Sequence, residues 1–328
     1  MKATAIAPSN LAFIKYWGKK KGHEEERLPV NGSISMNLSN LITTTTVEFS
    51  DDYGEDVILY NGEEPKQRSL QRVLKHLDRI RLLKKFQQRA QIVSKNNFPE
   101  STGLSSSASG FAALSLAASK AANLDLSEKD LSILARQGSG SACRSIPDGF
   151  VEWLNANTSD GSYAKSIFPH DYWNIVDIVV ITGKEQKDTP TSEGMKRAYS
   201  SPFFKKRLQH IEARIIECKR YIKEKNFKFF GELIEKEALE MHTITLTSQP
   251  PIVYWHPGTL CVMRAVHLWR QEGLESYFTI NTGHNIHVIV QEKDKEVLAK
   301  ELSNLEEVNE VIINYPAQGA QLSEQHLF

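Results

Sequence analysis

Residues 33–50, SISMNLSNLITTTTVEFS, most narrowly limit what this chain can fold into. Thr43, Thr44, Thr45, Thr46 and Val47 follow one another, and β-branched side chains are stiff at χ1 and favour the pleated strand over the helix. Apolar and polar positions alternate along the rest of the run, as in a half-buried strand. A sheet must be built around it, and the first 60 residues share its texture.

The length of 328 residues suits two domains, at about 150 residues each. Forty basic and forty acidic residues cancel, so no overall field draws the chain to nucleic acid or to an anionic membrane. Cys143, Cys218 and Cys261 are odd in number and far apart, which fits neither a disulfide framework nor a CxxC metal site. The opening MKATAIAPSNLAFIKYWGKKK lacks the apolar core and cleavage pattern of a signal peptide. IVDIVVITG (175–183) is too short to span a membrane. A cytoplasmic protein is the simplest reading.

Along the chain, 68–86 has helical spacing with a basic outer face, and 89–98 reads as a strand that stops at Asn96-Asn97 and closes at Pro99. Ser127 followed by Asp130 makes a capping start for LSILARQ. Strands are expected at 151–157 and 174–183, before the charged loop KEQKDTPTSEG (184–194). Beyond it, Phe204, Leu208, Ile211, Ile215, Cys218 and Ile222 share one helix face. Further helices at 229–241 and about 257–271, two strands around a turn, another helix and a last strand complete an α+β chain. The boundary is expected near 183–195, dividing it into 1–185 and 186–328, with room for the carboxy-terminal tail to pack back on the first part.

The chemistry is expected at FPESTGLSSSASGFAAL (98–114). The first amides of a helix lack internal partners, and that end is mildly positive. Gly103 lets backbone approach a ligand, Ser105, Ser106 and Ser107 add donors, and the small residues after them allow tight packing. This reads as a polyphosphate cradle, although alone it could equally be a serine-rich cap; GxxxxGK[ST] and GxGxxG are both absent from it. A second small-residue turn, Gly138-Ser139-Gly140-Ser141, precedes Arg144, whose guanidinium can fork onto an anion. AFIKYWGKK (12–20) adds Lys15, Tyr16 and Lys19 beside aromatic rings. Together these point to a pocket for two anionic ligands.

With LPVNGSISMNL (28–38), GFVEW (149–153), EALEMH (237–242) and YFTINTGHNIHVIV (277–290), these stretches resemble the mevalonate diphosphate decarboxylases of the GHMP kinase superfamily, over nearly the whole chain. The resemblance implies an amino-terminal S5-like α/β domain, a carboxy-terminal ferredoxin-like domain and a cleft between them. It implies a homodimer, and ATP and magnesium for phosphorylating the C3 hydroxyl of mevalonate 5-diphosphate, after which phosphate and carbon dioxide leave and isopentenyl diphosphate remains. Gly103, Ser105, Ser106 and Ser107, with Ser94 and Asn96 nearby, match the ATP site; Tyr16, Lys19, Ser139, Gly140, Ser141 and Arg144 match the substrate site. Lys15 matches the reactive-centre lysine, able to offset charge on the transferring phosphoryl. No metal ligand is assigned.

The family reads DAGPN in the turn where this chain reads NTGHN, so Asn281 stands in place of an Asp close to the C3 hydroxyl, and SIPDG follows Arg144. An amide can hold a hydroxyl but cannot take its proton as a carboxylate does. Asp148 and His284 are the candidate replacement bases. The alternatives are a kinase that phosphorylates a mevalonate-like alcohol without decarboxylation, and a ligand-binding homologue with weak or no turnover.

Overall fold

The computed structural model describes residues 1–98 and 103–328; Pro99, expected to close a strand, lies outside them. β1 (Lys2–Ile14) pairs antiparallel with β2 (Ser33–Ser50), which sets the threonine run Thr43–Thr46 against Thr4–Ala7. β3 (Val57–Tyr60), α1 (Gln67–Lys84), β4 (Arg89–Asn96), α2 (Ser106–Ala121), α3 (Glu128–Gly138), β5 (Phe150–Trp153) and β6 (Ala164–Phe168) follow. β3, β4, β2 and β1 lie side by side, with β5 and β6 continuing from β2. Among the described strands of this sheet, only β3 and β4 pair in parallel. Small residues let α2 lie close on β1 and β2, burying Ala108, Ala112, Ala113 and Ala117. The Ser127 hydroxyl accepts the Asp130 N–H and caps α3 as expected.

The chain continues with β7 (Ile175–Ile181), α4 (Thr191–Arg197), α5 (Phe204–Glu224), α6 (Phe227–Leu246), α7 (Pro257–Gln271), β8 (Ser276–Thr279), β9 (Ile286–Gln291), α8 (Lys295–Ser303) and β10 (Glu310–Asn314). A second, antiparallel sheet has the order β10-β7-β9-β8. β11 (Gln321–Ser323) then returns to pair with β1, the packing-back for which the sequence left room. β7 alternates strictly. Ile175, Val179 and Ile181 face the core shared with α5, α6 and β1, while Val176, Ile178 and Val180 face α7 and α8. Asp177, the one acid in this apolar run, pairs with His287 of β9 at 2.9 Å. The change of sheet falls between β6 and β7, ahead of the charged loop. A strand buried on both faces carries no local mark of the sheet it will join.

The result is α1–α3 on one face of the first sheet, α5 and α6 between the sheets, and α7 and α8 outside the second. The end of β1, the start of α2 and the β8–β9 turn converge where the sheets meet.

Candidate active site

β1 ends at Ile14, and Lys15 is the first residue beyond it. Its backbone is held from both sides. The N–H donates to Glu237 Oε1 at 3.1 Å, and the carbonyl accepts from Asn31 Nδ2 at 3.0 Å and Arg207 Nη2 at 2.9 Å. Glu237 is buried on α6 and also binds Arg207 and Arg214, so a paired charge cluster fixes this bend. The Lys15 side chain is 2% exposed, and its Nζ donates to the Ala12 carbonyl at 2.6 Å and to Asn281 Oδ1 at 3.2 Å. Burial pulls its pKa from 10.5 down to about 7; Glu237 and Asp177 raise it, while Arg144 and Arg207 lower it.

Asn281 lies in the turn after β8. Its carbonyl accepts the Nε2–H of His242, a ring that burial keeps neutral by pulling its pKa down to about 3. Its Nδ2 reaches Ser105 Oγ at 3.5 Å, so this one side chain spans from Lys15 to the start of α2. The two groups considered as substitute bases are engaged elsewhere. Asp148 accepts from the His170 ring at 3.0 Å. His284 is buried rather than at the surface of the turn, bonded to the Gly183 carbonyl at 2.9 Å and stacked on His256.

Gly103 and Ser105 both have positive φ, +102° and +60°, which bends the chain sharply into α2. Gly103 rests on Gly283, and an added Cβ would lie 2.9 Å from Gly283 Cα. Among the described residues no side chain caps the start of α2, and a positive helix end of this kind suits an anion. Thr43 links α2 to the sheet, its Oγ1 within 2.6 Å of both Asn96 Oδ1 and Ser109 Oγ. Ser94 meets Thr45 at 2.8 Å on the same strand pair. Asn96 Nδ2 is buried with no partner among the described residues.

The second turn faces the first. Ser107 Oγ lies 3.1 Å from Ser139 Oγ, across the meeting point of the two hydroxyl-rich bends. Gly140 packs flat on Tyr16, where a Cβ would come within 2.7 Å of the ring. Arg144 is 3% exposed, donating to Ser33 Oγ at 2.7 Å and Asn10 Oδ1 at 3.0 Å. Both acceptors are neutral, so its charge is uncompensated by them. Arg144 Nε and the Tyr16 hydroxyl are buried and unpartnered among the described residues, which suits groups awaiting a ligand. Ser141 gives its carbonyl to Asn10 Nδ2 at 3.1 Å, buttressing the turn. Lys19 is half-buried, its pKa lowered to about 8 by burial and then by Arg27, Arg72 and Lys196.

Those neighbours were missed in the sequence. Arg68 and Arg72 sit one turn apart on α1, donating to Ser192 Oγ at 3.0 Å and to the Gly138 carbonyl at 3.1 Å. The basic face of 68–86 was their only signal. Lys187, in the charged loop, reaches the β8–β9 turn and donates to Thr282 O at 2.7 Å and Thr191 Oγ1 at 2.8 Å. Burial lowers its pKa to about 8. Nothing in the sequence separates it from the solvated charges around it. The site therefore offers a helix N-terminus and hydroxyls for one polyphosphate, a group of cations for a second anion, and a buried amine between them, the equipment of a phosphoryl-transfer enzyme.

Comparison with known proteins agrees. Residues 7–164 match the diphosphomevalonate decarboxylase-like N-terminal domain, and 177–325 match the mevalonate 5-diphosphate decarboxylase C-terminal domain. The chain is 36% identical to the diphosphomevalonate decarboxylase mvd1 of Aspergillus fumigatus, over 91% of this chain and 79% of that one. It is 34% identical to the phosphomevalonate decarboxylase of Haloferax volcanii, over 89% of each. A solved structure of MDDEF in complex with MVAPP, AMPPCP and magnesium superposes with a TM-score of 0.92 at 38% identity, covering 99% of both chains. The chain belongs to the diphosphomevalonate decarboxylase family, within the GHMP kinase superfamily.

Proposed function

We propose that this chain is an ATP-dependent decarboxylase that converts mevalonate 5-diphosphate to isopentenyl diphosphate, carbon dioxide, ADP and phosphate. The observation that supports the reading is the Ser107–Ser139 contact, which brings the bend we assign to the nucleotide phosphates against the bend we assign to the acidic substrate, with buried Lys15 linked to the first through Asn281 and Ser105. The positive start of α2, with Gly103, Ser105, Ser106 and Ser107, would bind the ATP phosphates, with Ser94 and Asn96 behind them. Magnesium fits as the nucleotide's companion, since Ser106 and Ser107 offer oxygen ligands to a hard cation that takes its remaining ligands from phosphates and water. When bound, it neutralises charge on the phosphates. Lys187 adds an ammonium on the opposite side, over the β8–β9 turn.

Arg144 would hold the substrate carboxylate through its unpartnered Nε, and Tyr16, Ser139, Gly140 and Ser141 would shape the pocket around it. Lys19, Arg72 and Arg27 would receive the diphosphate. Once C3 carries a phosphate, loss of that phosphate and breakage of the C–C bond to the carboxylate form the double bond together. The number of cations near Lys19 favours a 5-diphosphate over a 5-monophosphate, although one relative is named a phosphomevalonate decarboxylase. A homodimer is the proposed assembly, with exposed Ile216 and Phe229 on α5 and α6 as candidate contacts. Three unpaired cysteines support a reducing, cytoplasmic setting. Incubation with ATP, magnesium and mevalonate 5-diphosphate tests the reading: equal yields of ADP and carbon dioxide are expected, and ADP with a retained carboxylate would make the chain a kinase.

A further inference from the structure

The surroundings of Lys15 Nζ suit a neutral amine better than a salt-bridged cation. Both of its acceptors, the Ala12 carbonyl and Asn281 Oδ1, are uncharged, and it makes no ion pair among the described residues. A neutral primary amine has two hydrogens and one lone pair. The two acceptors take the two hydrogens and leave one tetrahedral corner unclaimed. The charged groups around it are committed. Glu237 (α6) binds Arg207, Arg214 and the Lys15 backbone, and Asp177 (β7) binds His287. Arg144, on the turn before β5, and Arg207 (α5) both disfavour a third positive charge, and His242 (α6) is neutral and turned to Asn281. Asn281 has its Oδ1 on Lys15 and its Nδ2 toward Ser105, so it offers the substrate no basic atom.

We propose that the Lys15 amine is the base that takes the proton of the alcohol being phosphorylated, the task that the amide at 281 cannot perform. This rests on the reading of the crevice as one that phosphorylates an alcohol. The O–H bond breaks and its proton goes to Nζ. The oxygen's electron pair forms the new bond to the γ-phosphorus, and the bond from phosphorus to the ADP oxygen breaks, its pair leaving with ADP. When phosphate later departs from carbon, the Lys15 ammonium returns the proton to it, which resets the amine. Burial and the two arginines bring this base into the range where it is free near neutral pH.

The test is the pH dependence of carbon dioxide release by the full chain and its variants. For the wild type, turnover is expected to rise about tenfold per pH unit below a midpoint near pH 7. Lys15→Arg, which stays charged, should lose roughly 10²-fold or more. Asn281→Asp, which supplies a carboxylate, should move the acid limb down by more than one pH unit, and in Lys15→Arg it should restore at least about tenfold of the lost rate. Turnover that falls as pH rises through 7, or Lys15→Arg with near-normal rates, would overturn the base and leave the decarboxylase reading standing. No ADP or carbon dioxide at any pH would instead sink that reading. Independently of turnover, the ε-carbon of Lys15 in 13C-lysine-labelled protein, assigned by its loss in Lys15→Arg, should titrate near pH 7; titration near 10.5 refutes the proposal.

Discussion

Arg144 and Lys187 show how single side chains divide the work. Arg144 has two donors on neutral oxygens and a third, Nε, buried without a partner among the described residues, which leaves its charge available to an acidic substrate. Arg144→Ala is expected to raise KM for mevalonate 5-diphosphate by about 10- to 100-fold, the worth of a charged hydrogen bond, with KM for ATP changed little. Steady-state kinetics with each substrate varied in turn checks this, and equal effects on both would displace Arg144 from the carboxylate. Lys187 has a pKa lowered to about 8 by burial, so it is charged below that pH and loses its proton above it. If its charge assists phosphoryl transfer, activity falls as pH rises through 8. Lys187→Arg, charged throughout, should keep turnover level to about pH 9; an unchanged alkaline limb would assign it to another group, such as Lys19.

Among the elements, the loop into α2 is the most constrained. Gly103 combines a φ of +102° with a Cβ position only 2.9 Å from the Gly283 backbone, so no side chain fits without parting the loop from the β8–β9 turn. Gly103→Ala should weaken ATP binding by tenfold or more, measured by calorimetry, with far-UV dichroism unchanged. Unaltered affinity would mean that the loop does not touch the phosphates. Much of this was legible. The glycine-serine step, the small-residue face of α2, the strand at 33–50 and the lysine after β1 are local patterns with local causes. Other features depend on contacts distant in sequence. β7 joins the second sheet although its residues specify only a strand buried on both faces. β11 is three residues long and is ordered by β1. Arg72 and Lys187 look like ordinary solvated charges until α1 and the charged loop fold over the crevice. His284 reads as a candidate base in a turn, yet it is buried and bonded to the Gly183 carbonyl.

At the scale of the whole molecule, the site exists because three distant segments are tied together. Glu237 of α6 fixes the chain at Lys15, His242 of the same helix fixes the turn at Asn281, and Gly103 seats the loop before α2 on that turn. The helix between the two sheets thus sets where an alcohol and a phosphoryl group would meet. The most direct test uses mevalonate 5-diphosphate labelled with 18O in its C3 hydroxyl, with mass analysis of the phosphate released. If the alcohol is phosphorylated at this crevice before the carboxylate leaves, one 18O atom appears in inorganic phosphate for each carbon dioxide formed. Carbon dioxide released with unlabelled phosphate would contradict the account.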